Sequence, residues 1–168
     1  MIPIELKSLI AYDPLTGIFR WKFREPLTKG DKYFNSRFAG NEAGSLDATT
    51  GYVVIGIKGK TYKAHRLAWF YMNDFMPERV DHRDDIGHHN WISNLREATV
   101  SQNACNMKRR CDNKTGFKGV QHIPERWRAV IYLNRKETSL GLFETPEAAH
   151  AAYCEASKKL HGEFGRIK

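Results

Sequence analysis

The chain has 168 residues, 41% hydrophobic and 12% aromatic, which is enough for one ordinary domain or two small ones and excludes wholesale disorder. Its net charge of +8, with 27 Lys and Arg against 19 Asp and Glu, points toward a polyanionic partner. No run of eighteen apolar residues is present, and the start Met1-Ile2-Pro3-Ile4-Glu5-Leu6-Lys7 lacks the basic end and apolar core of a secretion signal, so a cytoplasmic protein without membrane spans is expected. Cys105, Cys111 and Cys154 form no CxxC pair and are expected to be reduced, with no structural zinc.

In chain order, residues 4–12 carry Leu6, Leu9, Ile10 and Tyr12 near helical spacing, and Asp13-Pro14-Leu15-Thr16-Gly17 reads as a turn before a strand over 18–22. Residues 24–47, rich in Gly, Asn, Asp and Ser, predict a long loop. The β-branched and aromatic runs 51–57 and 60–64 flank Lys58-Gly59 and predict a hairpin, followed by a helix from about His65 to Asn73. A strand, a loop, a short strand and a helix come next. Thr99 and Gln102 form a capping-box pattern that places Asn103 in the first turn of that helix. After the polar hinge Asn113-Lys114-Thr115-Gly116, three strands are predicted over 117–122, 126–133 and 138–142. A helix then starts at Thr145-Pro146, with Ala148, Ala149, Ala152, Tyr153, Ala156 and Leu160 as its apolar face.

The segment from Val80 to Asn103 holds the chemistry. Asp81 and Asn103 offer oxygen ligands to one hard divalent cation. His82 has the right intrinsic basicity to take a proton from water, and the side-chain carbonyl of Asn94 can hold its ring in the useful tautomer. Asn90 is expected to brace the loop, and His65 to be a packed or phosphate-facing histidine. Arg66, Arg83 and Arg96 are candidate phosphate contacts. A basic tract contributes Lys108, Arg109, Arg110, Lys118, Arg126, Arg128, Arg135 and Lys136, interleaved with Phe117, Trp127 and Tyr132, which is the footprint of a nucleic-acid binder.

Asp81-His82, Asn94 and Asn103, with Ala64-His65-Arg66-Leu67-Ala68-Trp69 upstream and Asn94-Leu95-Arg96-Glu97-Ala98-Thr99 after the loop, resemble the HNH homing endonucleases in their phage variant, where the last histidine is asparagine. The resemblance covers about residues 1–110. It implies a ββα-metal core over about 78–110, one Mg²⁺ (or Mn²⁺) per site, and cleavage of double-stranded DNA to a 5′ phosphate and a 3′ hydroxyl. Residues 115–163 resemble the plant Apetala/ethylene-response-factor domain, which lays a three-stranded sheet in the major groove with a helix behind it. That likeness makes Lys118, Arg126, Trp127, Arg128 and Arg135 groove-facing candidates. Gln121 departs from the arginine usual in the plant domains, so their base preference does not transfer.

The expected architecture is therefore α+β: an HNH nuclease domain over 1–112 with an N-terminal β-rich extension, and a DNA-binding domain over 113–168. The expected activity is metal-dependent DNA cleavage by a monomer or homodimer, inside an infected bacterial host if the chain is phage-encoded. The alternative is a DNA-binding regulator that keeps a nuclease shell without turnover.

Overall fold

The computed structural model, which describes residues 5–107, 112–134 and 136–167, begins with the one-turn helix α1 (Leu6–Leu9). It runs directly into β1 (Ile10–Tyr12), which pairs antiparallel with β2 (Phe19–Trp21). The Asp13 carboxylate closes the intervening turn by accepting from the Leu15 N–H at 2.9 Å and the Thr16 hydroxyl at 2.8 Å.

The expected loop over 24–47 is instead a helix and an edge strand. Helix α2 (Lys29–Phe38) starts at a capping box: the Thr28 side chain accepts from the Asp31 N–H, and the Asp31 carboxylate accepts from the Thr28 N–H. It buries no residue fully, and its three aromatics, Tyr33, Phe34 and Phe38, stand among polar residues, which is why the stretch reads as a loop. Phe34 and Phe38 form its ring pair, and the Arg24 guanidinium lies 3.4 Å from the Phe34 ring centre. Strand β3 (Ser45–Asp47) then adds to the predicted hairpin of β4 (Tyr52–Ile57) and β5 (Lys60–Lys63), in the order β3-β4-β5. Lys58 and Gly59 both have positive φ, at 49° and 75°, as a tight hairpin turn requires.

Helix α3 (Ala64–Asn73) follows at once and stops at Asp74, whose φ of 57° is left-handed. Strands β6 (Arg79–His82) and β7 (Leu95–Ala98) pair as a separate two-stranded sheet. Val80 of β6 and Leu95 of β7 belong to the same apolar core as Leu6, Ile10, Phe19, Ile55 and Leu67. The strands that carry Asp81, His82 and Arg96 are thereby fixed to the rest of this unit.

The chain divides into two compact units, Met1–Glu97 and Ala98–Lys168. Helix α4 (Val100–Cys105), which the sequence reading groups with the nuclease segment, is tied into the second unit. The Lys118 ammonium donates to the carbonyls of Cys105 at 2.6 Å and Met107 at 2.8 Å, and the Asn134 N–H donates to Ser101 Oγ at 3.2 Å.

The second unit contains the three predicted strands, β8 (Val120–Ile123), β9 (Arg126–Leu133) and β10 (Lys136–Phe143), as an antiparallel sheet in the order β10-β9-β8. Helix α5 (Pro146–His161) packs on one face, opened by Thr145 Oγ1 accepting from the Ala148 N–H. Val120, Ala129 and Ala149 centre its core. Gly119, at φ +75°, is held there by shape as well, since a Cβ would lie 2.0 Å from the Tyr153 ring. The architecture is α+β, and among the described residues no helix is long and apolar enough to cross a membrane.

Candidate functional site

Strand β6 delivers Asp81 and His82 side by side, both buried. The His82 ring faces Asn90 rather than Asn94, with Nε2 and the Asn90 Oδ1 3.3 Å apart. A carboxamide oxygen only accepts, so the contact selects the tautomer with hydrogen on Nε2 and the lone pair on Nδ1. Burial pushes the His82 pKa below the ordinary imidazole value, against the Asn90 hydrogen bond and the charges of Asp84 and Asp81, which raise it. The imidazole is therefore neutral at pH 7, as a proton acceptor must be.

Asn90 is held in place from the N-terminal hairpin. Its carbonyl accepts from the buried Tyr12 hydroxyl at 2.7 Å, and the Ile92 N–H donates to the Pro14 carbonyl at 3.0 Å. Gly17, at φ +76°, lies against the same backbone: a Cβ there would be 2.4 Å from the Asn90 carbonyl carbon and the Trp91 nitrogen. Sequence spacing alone makes Asn90 a loop brace, because its placement depends on chain more than seventy positions upstream.

Asn94 does the bracing instead. Its Nδ2 donates to Asp84 Oδ1 and to the His89 carbonyl, both at 2.9 Å, and its Oδ1 accepts from the Asp84 N–H at 3.2 Å. With its amide so engaged, Asn94 shapes the 84–89 loop and does not orient the His82 ring. The second carboxylate oxygen of Asp84 meets His89 Nδ1 at 2.6 Å. Burial raises the Asp84 pKa, but hydrogen bonds from His89, the Ile86 N–H and Asn94 outweigh it and leave a net lowering.

Arg96 is also relocated. It is 7% exposed, and both Nε and Nη2 meet Asp81 Oδ2, at 2.9 and 2.7 Å, so this arginine positions Asp81 and is not a surface phosphate contact. Arg83 is exposed and Arg66 half-buried, and burial lowers the Arg66 pKa, helped by the charge of Arg79.

His65, on the first turn of α3, is a site residue that the spacing of the motif underrated. Its ring centre is 5.0 Å from that of His82, and the Tyr52 ring lies 5.0 and 5.9 Å from the two imidazoles. Burial pushes its pKa down to about 3, with the charges of His82, Lys63 and Arg66 adding to the shift, and its Nδ1 has no hydrogen-bond partner.

Among the described residues, no group of three or more His, Cys, Asp or Glu side chains converges as a metal cage. The donors on hand suit a hard cation by chemistry, since Asp81 is an oxygen ligand, but its charge is already matched by Arg96. Asn103 lies on α4 in the second unit, half-buried, with its N–H bonded to the Thr99 carbonyl at 3.0 Å behind the capping box the sequence predicts.

The sheet of the second unit sorts its basic candidates by strand alternation. Arg126 and Arg128 lie on the face away from α5. Trp127, between them, lies on the helix-facing side, cross-strand from Phe143 and packed on the core, and is a packing residue rather than a groove reader. Lys118 precedes β8, and its ammonium is engaged by the two carbonyls described above. Lys108, Arg109, Arg110 and Arg135 lie outside the described residues.

No protein-family model matches the chain, and no solved structure matches it. The chain is similar to Protein 3.8 of Escherichia phage T7, at 28% identity over 113 residues, a stretch covering 65% of this chain and 93% of that protein.

Proposed function

We propose that the chain is a metal-dependent DNA endonuclease of the HNH type, phage-encoded, with its C-terminal sheet serving as a DNA-docking module. The observation that carries this reading is the buried, neutral His82, held through Nε2 by Asn90 beside the carboxylate of Asp81. A buried imidazole held in one tautomer is a general base in waiting. The similarity to a T7 protein supports a phage origin.

In the proposed mechanism, His82 Nδ1 takes a proton from the water that attacks the scissile phosphorus, while Asn90 keeps hydrogen on Nε2 and stabilises the imidazolium that forms. Arg96 holds Asp81 in position, and Asn94 sets the loop that carries Asn90. Asp81 would hold Mg²⁺ or Mn²⁺ through its carboxylate. When bound, the cation supplies charge stabilisation to the phosphorane and the leaving 3′ oxygen. Because Asp81 and Arg96 sum to no net charge, DNA phosphates provide much of the counter-charge, and cation affinity should rise when DNA is present.

Cleavage of supercoiled plasmid by wild type and His82→Ala, with Mg²⁺ and with EDTA, tests the reading. Product from wild type with Mg²⁺ alone, and a loss of about 10²–10⁴-fold in His82→Ala with DNA retention unchanged, is the expected result. The Asp81–Arg96 pair also favours a second reading, a DNA-binding regulator without turnover, since a carboxylate already neutralised needs no cation. Retention in EDTA with no cleavage of any DNA would select it.

A further inference from the structure

The face of the second unit's sheet away from α5 carries a closed polar network. Arg128 donates through Nη2 to Glu137 Oε1 at 3.0 Å, through Nε to Ser139 Oγ at 3.3 Å, and through Nη1 to Gln121 Oε1 at 3.5 Å. The other carboxylate oxygen of Glu137 accepts from the Tyr132 hydroxyl. In the register, Arg128 pairs with Leu142 and Gln121, whereas Glu137 pairs with Tyr132, so the guanidinium reaches along the sheet past Val130. Val130, between Arg128 and Tyr132 on the same strand, is 3% exposed. Arg128 and Glu137 themselves stay about a third exposed, at 34% and 32%.

An anionic side chain in the middle of a surface meant for a polyanion opposes phosphate binding. We propose that Glu137 is a selectivity filter: it keeps the Arg128 guanidinium from phosphates and yields it only to a base edge with two adjacent acceptors, the O6 and N7 of guanine. A phosphate can also meet the fork in two places, but it brings a second negative charge toward Glu137. A guanine edge is uncharged and matches the fork in two places. This inference rests on reading the unit as a DNA-docking module.

The test uses the full chain in EDTA, with fluorescence anisotropy against duplexes that wild type selects from a random library and against an unselected duplex of equal length. Glu137→Gln is expected to tighten binding to the unselected duplex and to steepen its log–log salt slope by about 0.9, the share of one new phosphate contact. The same variant should lose discrimination at one guanine of the selected site by about 5- to 150-fold, the worth of one good arginine–guanine pair. Arg128→Lys should lose that discrimination at the same base, and the double variant should lose no more. Glu137→Asp, which keeps the charge but shortens the reach, should lose discrimination without the gain in general affinity. Effects at different bases, or a Glu137→Gln protein with wild-type affinity and preference, would overturn the filter. A wild-type chain that retains duplex but selects no guanine overturns the filter alone; one that retains no duplex overturns the docking reading as well.

Discussion

The two units treat polar side chains in opposite ways. The first buries His65, Asp81, His82, Asn90, Asn94 and Arg96. Among the described residues the second buries Ser157 alone of its polar side chains, keeps Arg126, Tyr132 and Glu137 at its surface with Arg128 half-buried beside them, and draws its core from Val120, Ala129, Val130, Ile131, Ala149 and Tyr153. A buried polar group must be matched by a partner at a fixed distance, so the first unit is organised like a place for chemistry. Exposed charges exchange partners readily, which suits a surface that meets a long ligand. The same residue type thus sits differently in each: Arg96 is buried against Asp81, and Arg128 is in a pair about a third exposed to solvent.

Below the loss expected at His82, the largest effect that sharpens this contrast is at the two arginines. Arg96→Ala removes the guanidinium from the buried Asp81 carboxylate and should cost about 3–5 kcal/mol of stability in urea unfolding. Arg128→Ala, in a pair open to solvent, should cost no more than about 1 kcal/mol. Equal losses would erase the distinction between the units.

The two asparagines divide the first unit itself. Asn90→Ala should lower the cleavage rate by about 10- to 100-fold, the usual size for a partner that orients a working imidazole, with little change in Tm. Asn94→Ala should act mainly through stability, by leaving Asp84 and the His89 carbonyl without their amide partner. The reverse pattern in paired rate and Tm measurements would return the orienting role to Asn94.

Gly17→Ala is expected to cost about 1–3 kcal/mol, because the new methyl meets backbone atoms that cannot move aside. Cleavage should fall beyond what the loss of folded protein explains, since Asn90 shifts with its backbone. A stable, fully active Gly17→Ala protein would break the link between the N-terminal turn and the site.

The smallest effect belongs to the second unit. Arg126→Ala should reduce the log–log salt slope of DNA binding by about 0.9, whereas Lys118→Ala should lower Tm and leave the slope alone, because its ammonium is occupied by two backbone carbonyls. Identical salt slopes in both variants would show that the strand face does not sort the cations.

Signals that act within a few residues were legible in the sequence. Lys58-Gly59, the Thr99/Gln102 box and Thr145-Pro146 each mark their elements because a turn or cap is a local event. Helix α2 reads as a loop for the complementary reason: it has no fully buried residue and is polar overall, so Phe34 and Phe38 stand isolated and the local signal is the Thr28 and Asp31 cap. Strand alternation within β9 separates Trp127 from Arg126 and Arg128, but the likeness to the plant domains puts all three at the groove, and packing on the core is what removes Trp127. The exchange of roles between Asn90 and Asn94 was not readable, because both asparagines sit near the same histidine in sequence. The choice between them is made by Tyr12, Pro14 and Gly17, which reach them only through the fold.

The contact between Gly17 and the Asn90 backbone sets a lower limit on how far this molecule can be trimmed. A fragment cut to begin at the β4–β5 hairpin would still display every residue of the Asp-His-Asn signature. It would lack the clamp that aims the imidazole, so a motif-guided miniature of this protein is expected to be silent.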